Sequence, residues 1–277
     1  MGLWLSMIAL KKLFQYNNDF DQIIQDAQNL IDSGETPYEG EKITVLSNTL
    51  KDARNNRVET PELKETIESV VINDTLKQAK RTDIESASAH LESISDEYKA
   101  ETEKILEQTE ALIIPDYSSF KNTIASQSND LEDSIAIQKQ ITAPTEDWVY
   151  TRLGRVSEIA NIAAVTEEHD PNGHLNKSGG YTATLYFSTP LLDTTDLSAY
   201  DIIENGNHSG GAVEVYVTEE DAKKRSDYLG SFDGVGLLNS GSHYVLGTMV
   251  IRTADELKAS QQETLTNAIV DAMISLQ

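Results

Sequence analysis

Glycine is spread unevenly along this chain, and the unevenness limits what the chain can fold into. Of 15 glycines in 277 residues, only Gly2, Gly34 and Gly40 fall in the first 150, and the other 12 follow. Glycine-poor stretches with apolar residues every three or four positions make helices, whereas short strands joined by tight turns use glycine often. The chain is therefore expected to begin helical and then to acquire a sheet. The break is placed at Ala143-Pro144-Thr145, because Pro144 restricts the residue before it and ends a helix. This predicts a helical bundle or spacer over 1–143 and an α+β domain over 144–277.

The first part carries a series of apolar stripes. Phe20, Ile23, Ile24, Ala27, Leu30 and Ile31 share one helical face, and Gly34 stops the run. Ile43, Leu46, Leu50 and Ala53 form a second stripe. Thr60-Pro61 starts a third, with Pro at the first helical position and Leu63, Ile67, Val70 and Val71 behind it. Ile84, Ala87, Leu91, Ile94, Tyr98, Ile105 and Leu112 follow at heptad-like spacing. Glu101 and Gln108 sit where that register wants apolar residues, so the seam suits a bundle better than a long free coiled coil. Pro115 breaks the chain. Phe120, Ile124, Leu131, Ile135 and Ile141 can return antiparallel, with Ser126 to Asp130 as the stretch where that helix frays. Each stripe has to bury its face on another, and a bundle is the result.

The second part alternates strands and helices. Thr145 caps a short helix carrying Trp148, Val149 and Leu153. Ile159 to Thr166 is β-prone. Tyr181 to Ser188 alternates, with Tyr181, Ala183, Leu185 and Phe187 on one face, and Ala212 to Val217 alternates too. Thr218 with Asp221 resembles a capping box that opens a helix through Ala222, Arg225 and Leu229. Tyr244 to Arg252 is predicted as a fourth strand. Ser260 with Glu263 is read as a capping box before Leu265, Ala268, Ile269, Ala272, Met273 and Leu276. The expected domain is a four-stranded sheet with helices packed on a face.

Charge and cysteine content remove several functions. The formal net charge is -24, from 22 Lys and Arg against 46 Asp and Glu, and there is no cysteine. That charge opposes direct binding to nucleic-acid backbones and docking on anionic lipid. Without cysteine there is no disulfide framework, thiolate metal site or cysteine nucleophile. Met1 to Leu10 is apolar, but Lys11 and Lys12 come after it, and an export signal has its positive charge before the apolar run. The segment reads as a first amphipathic helix, with a weak membrane anchor as the alternative. No later stretch approaches the roughly 18 apolar residues of a membrane span, so no transmembrane segment is expected.

No catalytic motif stands out, and no cofactor is expected. Neither a Gly-x-Ser-x-Gly elbow nor a His-Glu-x-x-His pair occurs. Four of the five histidines lie in the second part. His169 and His174 flank Asp170-Pro-Asn-Gly173, His208 precedes Ser209-Gly-Gly211, and His243 follows Ser240-Gly-Ser242. His169, Asp170, His174, His208 and His243 are candidate metal ligands if the loops converge. Asp170-Pro-Asn-Gly173 is also the composition of a tight turn, which is the preferred reading. Gly179-Gly180 and Gly210-Gly211 precede strands rather than helices, so neither reads as a phosphate loop.

Many short segments of the second part resemble a known module. Among them are Thr142-Ala-Pro-Thr-Glu-Asp-Trp-Val149, Asp170-Pro-Asn-Gly173, Lys177-Ser-Gly-Gly-Tyr-Thr182 and Gly210-Gly-Ala-Val-Glu-Val-Tyr216. Asp221-Ala-Lys-Lys-Arg225, Asp227-Tyr-Leu229, Phe232-Asp-Gly234, Ser240-Gly-Ser-His243 and Val250-Ile-Arg-Thr253 continue the series in order. Together residues 142–277 resemble a C-terminal module of Gram-positive surface proteins and lipoproteins, the Ebh-like extracellular-matrix-binding group. The resemblance implies a non-catalytic, envelope-facing role with a protein or cell-envelope partner. Composition alone leaves a cytoplasmic location open. Two other readings stand beside it: an acidic mimic of nucleic acid that inhibits a nucleic-acid-binding enzyme, and a metal or ligand-binding protein using the histidine loops.

Overall fold

Apolar stripes at helical spacing must meet other stripes, and in the first part three of them do. The computed structural model describes residues 2–60, 112, 114–193, 201–232 and 241–276, with side chains from Leu10 onward. The stripes expected at Leu63 to Val71 and Ile84 to Ile105 lie outside these residues. Helix α1 is Gly2–Asp32, α2 is Glu41–Asn55 and α3 is Ser118–Gln140. Leu13, Phe20, Ile24 and Ala27 of α1 are buried, as are Leu46, Leu50 and Ala53 of α2. Ser126 to Asp130 stays helical inside α3, so the expected fraying does not occur. Phe20 stacks on Tyr117 with ring centroids 4.0 Å apart. The Tyr117 hydroxyl donates to Asn17 Oδ1 at 2.9 Å and accepts the Val58 N–H at 2.9 Å. Asn17 Nδ2 donates to the Val58 carbonyl at 2.9 Å, so a buried amide is fully used inside an apolar seam.

The second part builds one antiparallel sheet. Helix α4 is Glu146–Leu153, and strands β1 and β2 are Asn161–Ala164 and Ala183–Ser188. A short helix α5, Ile202–Asn205, leads into β3, Gly210–Val215. Helix α6 is Glu219–Gly230, β4 is Ser242–Leu246, β5 is Met249–Thr253 and α7 is Ala259–Ile274. The strand order is β1-β2-β3-β5-β4, with every pairing antiparallel. Two of the expected caps form. Thr145 Oγ1 accepts the Trp148 N–H at 3.3 Å, and Thr218 Oγ1 accepts the Asp221 N–H at 3.1 Å.

Strand alternation sorts the side chains into two cores. Ala183, Leu185, Phe187, Val213, Val215, Met249 and Ile251 face α4 and α7 and pack with Val149, Leu153, Leu265, Ile269 and Met273. Tyr186, Ala212, Tyr216 and Val250 face the other way and pack with Ala222 and Leu229 of α6. Arg152 of α4 is buried, with its guanidinium 4.9 Å from the Trp148 ring centroid and Nη1 donating to the Ala272 carbonyl of α7 at 3.2 Å. Gly211 lies under the Phe187 ring, where any Cβ would collide with that ring and with the Arg252 carbonyl.

Four expectations change. The sheet has five strands, because the run expected as one strand from Tyr244 to Arg252 is a hairpin. Gly247 sits at the first turn position with φ 56°, a conformation that favours glycine. Helices cover both faces rather than one, since β2, β3 and β5 are buried on both sides. Tyr181 precedes β2 and joins the α6-side core instead of the face of Ala183 and Leu185. The Ser260 and Glu263 box does not cap α7, which starts a residue earlier; there the Lys258 N–H donates to Gln261 Oε1 at 3.0 Å.

The chain divides into two compact units, Met1–Gly34 with Glu41–Asp130, and Glu35–Gly40 with Leu131–Gln277. The division falls ahead of Ala143 because the end of α3 supplies core to the sheet. Ile141 is 0% exposed within the α7-side core. Its carbonyl accepts the Thr248 N–H of the hairpin turn at 3.1 Å, and the Ala143 N–H donates to Thr248 Oγ1 at 2.7 Å. Ile141→Ala is expected to destabilise the sheet-containing unit by about 2–5 kcal/mol, as deletion of a buried aliphatic side chain does. Denaturant unfolding measures this, and a change under about 0.5 kcal/mol, the size typical of a surface site, would return the boundary to residue 143.

Candidate functional site

A carboxylate inside a sheet has to find partners, and Glu214 finds four donors. It lies on β3 between Val213 and Val215 and points to the α6 side, where it is fully buried. Strand register places Ala212 opposite Arg252, so Arg252 is the diagonal neighbour of Glu214 on the same face. Arg225 reaches it from the middle of α6. Glu214 Oε2 accepts Arg225 Nε at 2.8 Å and the Tyr216 hydroxyl at 2.8 Å. Oε1 accepts Arg225 Nη2 at 2.9 Å and Arg252 Nη1 at 3.0 Å. Four bonds use the acceptor capacity of a carboxylate. Burial alone would raise the Glu214 pKa, but Arg225, Arg252 and the Tyr216 hydroxyl outweigh it and hold the group below the usual carboxylate range. The Tyr216 hydroxyl is pushed far up, by burial first and by the Glu214 charge second.

Above this cluster lies an open cleft of about 720 Å³. Arg225, Arg252 and Tyr216 contribute to its floor, and Lys224, Tyr228 and Phe232 come from α6 and the residues after it. Tyr228 is exposed, with its ring 5.7 Å from the Arg225 guanidinium and 5.0 Å from the Phe232 ring. The opposite side is the loop between β1 and β2, through Asn172, His174, Gly180 and Tyr181.

Asp170 organises that loop. One carboxylate oxygen accepts the Asn172 N–H at 3.1 Å and the Tyr181 hydroxyl, and the other accepts the Leu175 N–H at 2.8 Å. The Gly173 N–H closes the turn on the Asp170 carbonyl at 3.1 Å, with Gly173 at φ 66°. Burial opposes ionisation of Asp170, yet these donors hold its pKa below the ordinary value. Asn172 Nδ2 then donates to the Tyr186 hydroxyl at 3.1 Å, which ties the loop to the sheet. Gly180 has no room for a side chain, because a Cβ there would collide with the His174 carbonyl.

The candidate ligands fall in different places. Asp170 is committed to its turn. His169 closes that turn's neighbour, its N–H donating to the Thr166 carbonyl at 3.0 Å. His174 stands edge-on to Tyr181 at 6.4 Å on the cleft rim. His243 lies across from Arg252 on β4, beside Gly230, with Nδ1 buried and without a partner among the described residues. His208 instead meets two acids from the far side of β5, bonding Glu256 and lying 3.8 Å from Asp255. Among the described residues, His208, Asp255 and Glu256 are the group whose ligand atoms gather within 4.8 Å, and all but Asp255 are exposed. Burial and the neighbouring Glu256 push the Asp255 carboxyl up.

Sequence reasoning passed over Glu214, Arg225 and Arg252. The available signal was a charged residue in a strand with Val on either side and Tyr two positions on. An outward Glu and a paired inward Glu look alike until a strand is known to be buried on both faces.

Glu214→Gln is expected to destabilise the sheet unit by about 3–5 kcal/mol, because two guanidiniums then face an uncharged amide. The pH dependence has a fixed sign. A carboxyl whose pKa is lowered by folding contributes stability above its unfolded value, near 4.5, and loses it as pH falls through the folded value. The advantage of wild type over Glu214→Gln should therefore be flat from pH 8 down to about 5 and shrink below about 4.5. Denaturant midpoints of both proteins across that range check it, and an advantage that grows on acidification would reject the ion cluster.

Comparison with protein-family models, curated proteins and solved structures gives no match to this chain.

Proposed function

We propose that the protein is a non-catalytic, acidic binding protein of the Gram-positive cell envelope. Its α+β domain is the binding unit, and its N-terminal helices are a spacer or interaction surface. The observation that carries the reading is the state of the ionisable groups around the cleft. Glu214 and Asp170 each have both oxygens occupied and pKa values held down, so neither serves as a general base. What the cleft offers outward is donors and aromatic faces, which suit recognition. The envelope location is supported by the resemblance of residues 142–277 to modules of surface proteins. Among the described residues no helix is long and apolar enough to cross a membrane.

The net charge of -24 favours a second reading, an acidic mimic that occupies the basic groove of a nucleic-acid-binding enzyme. A metal-binding reading keeps His208 of the predicted candidates and joins it to Asp255 and Glu256.

A pull-down from Gram-positive lysate and from isolated cell-wall fractions, at low and high salt, separates these. The envelope reading expects capture from the cell-wall fraction, weakened by salt, and no affinity for DNA or RNA in about 0.15 M salt, where the Debye length is about 8 Å. Recovery of one nuclease or polymerase that added DNA displaces would replace the envelope reading with the mimic.

A further inference from the structure

Arginine carries five N–H donors and cannot lose its charge. The cleft floor holds two arginines and one carboxylate. Arg225 and Arg252 side chains are 19% and 12% exposed, and Glu214 beneath them is 0% exposed. The carboxylate is saturated by its four bonds, so it accepts nothing further. Arg225 gives Nε and Nη2 to Glu214, and its Nη1 has no partner among the described residues. Arg252 gives Nη1, while among the described residues its Nε is buried without an acceptor, which is costly. The floor therefore keeps one positive charge uncompensated and leaves Arg225 Nη1 unspent.

The walls add side chains of both signs. Lys224 lines the cleft, is paired with Glu220 at 2.8 Å and stands 3.8 Å from Asp221, the one acid of the lining, which the Thr218 hydroxyl also engages at 2.7 Å. The His174 imidazole lies on the opposite side. The charge left over is that of the floor, and a ligand that answers it has to bring acceptors. The exposed Tyr228 and the half-buried Phe232 add ring faces beside the charged floor. The cavity volume of about 720 Å³ is that of a small-molecule site. A polyanion would extend past it into the field of a chain of net charge -24, which repels it.

We infer that this cleft binds a small organic oxyanion, a carboxylate or phosphate monoester attached to a ring, with the oxyanion on Arg225 and Arg252 and the ring against Tyr228. The inference rests on the non-catalytic binding reading above and adds the ligand class. Lys224, paired with Glu220, stands at the rim, and His174 closes the opposite side.

The test titrates the full chain with benzoate and with phenyl phosphate, using benzyl alcohol as the uncharged control, by calorimetry and saturation-transfer NMR. At least one oxyanion should bind about tenfold or more tightly than benzyl alcohol, the ratio expected of one charge-assisted contact. Whichever oxyanion binds better identifies the headgroup as carboxylate or phosphate. Tyr228→Ala and Lys224→Ala alter exposed side chains and leave the Glu214 cluster in place, so their circular dichroism should match wild type. Each should weaken the bound oxyanion by about three- to tenfold, while Lys258→Ala just ahead of α7 should not. Equal binding of all three probes, binding untouched by both variants, or no binding at about 10 mM, roughly ten times the constant of a millimolar ligand, overturns the inference. None of these outcomes bears on capture from the cell wall, which tests the binding reading separately. Release of phenol from phenyl phosphate would support the ligand class and reject the non-catalytic reading.

Discussion

A charge placed inside a sheet decides how the residues around it are arranged. Glu214 has no water to solvate it, so every strand and helix that touches its face must bring a donor or stay apolar. Tyr216 brings one from the same strand, Arg252 from the neighbouring strand and Arg225 from the helix above. The last of these fixes both the position and the rotation of α6, because Nε and Nη2 bond the two carboxylate oxygens as a fork. A buried ion cluster of this kind contributes little net stability compared with an apolar core, and it is severe on alternatives. A one-residue slip of β3 against β5 would put Glu214 and Arg252 on opposite faces of the sheet and leave one of them facing the α7-side core unpaired.

The two faces of the sheet are consequently unlike. The α4 and α7 side is mainly aliphatic, with Phe187 seated over Gly211 and Arg152 as a buried charge where α4 meets α7. The α6 side is phenolic and charged, and the cleft opens there. The loop between β1 and β2 belongs to that second face in its chemistry as well as its position. Asp170 folds the loop on itself, Tyr181 docks it, and Asn172 fastens it to Tyr186. One wall of the cleft is thereby built from a turn held by the half-buried Asp170 and the other from a helix held by the buried Glu214.

Much of this was legible where a local rule operates alone. Thr145 and Thr218 were identifiable as caps, and Asp170 to Gly173 as a turn, because the residues that form each lie within four positions. The alternation of β2 and β3 was also plain. Reading failed where the deciding partner is distant. Tyr244 to Arg252 is one β-prone run, and Gly247 reads as a strand residue until the turn is seen to dock on Ile141, 107 positions away for the Thr248 contact. His208 reads as a loop histidine because Asp255 and Glu256 approach it only through β3 and β5. The boundary near Pro144 marks where a helix ends. The compact units divide earlier because Ile141 is buried in the α7-side core and Ile137 packs against it, and composition does not record which core an isoleucine enters. The cleft was invisible for the same reason: its floor draws Tyr216 from just after β3, Arg225 from α6 and Arg252 from β5.

The Trp148 and Arg152 pair has a practical consequence. The chain has two tryptophans, Trp4 and Trp148. The Trp148 indole lies against a buried guanidinium that is itself anchored to the last turns of α7. A Trp4→Phe protein would therefore emit from a single indole at the α4–α7 seam. Its fluorescence would change as that seam separates and water reaches the ring, giving an intrinsic optical signal for the C-terminal unit without any attached label.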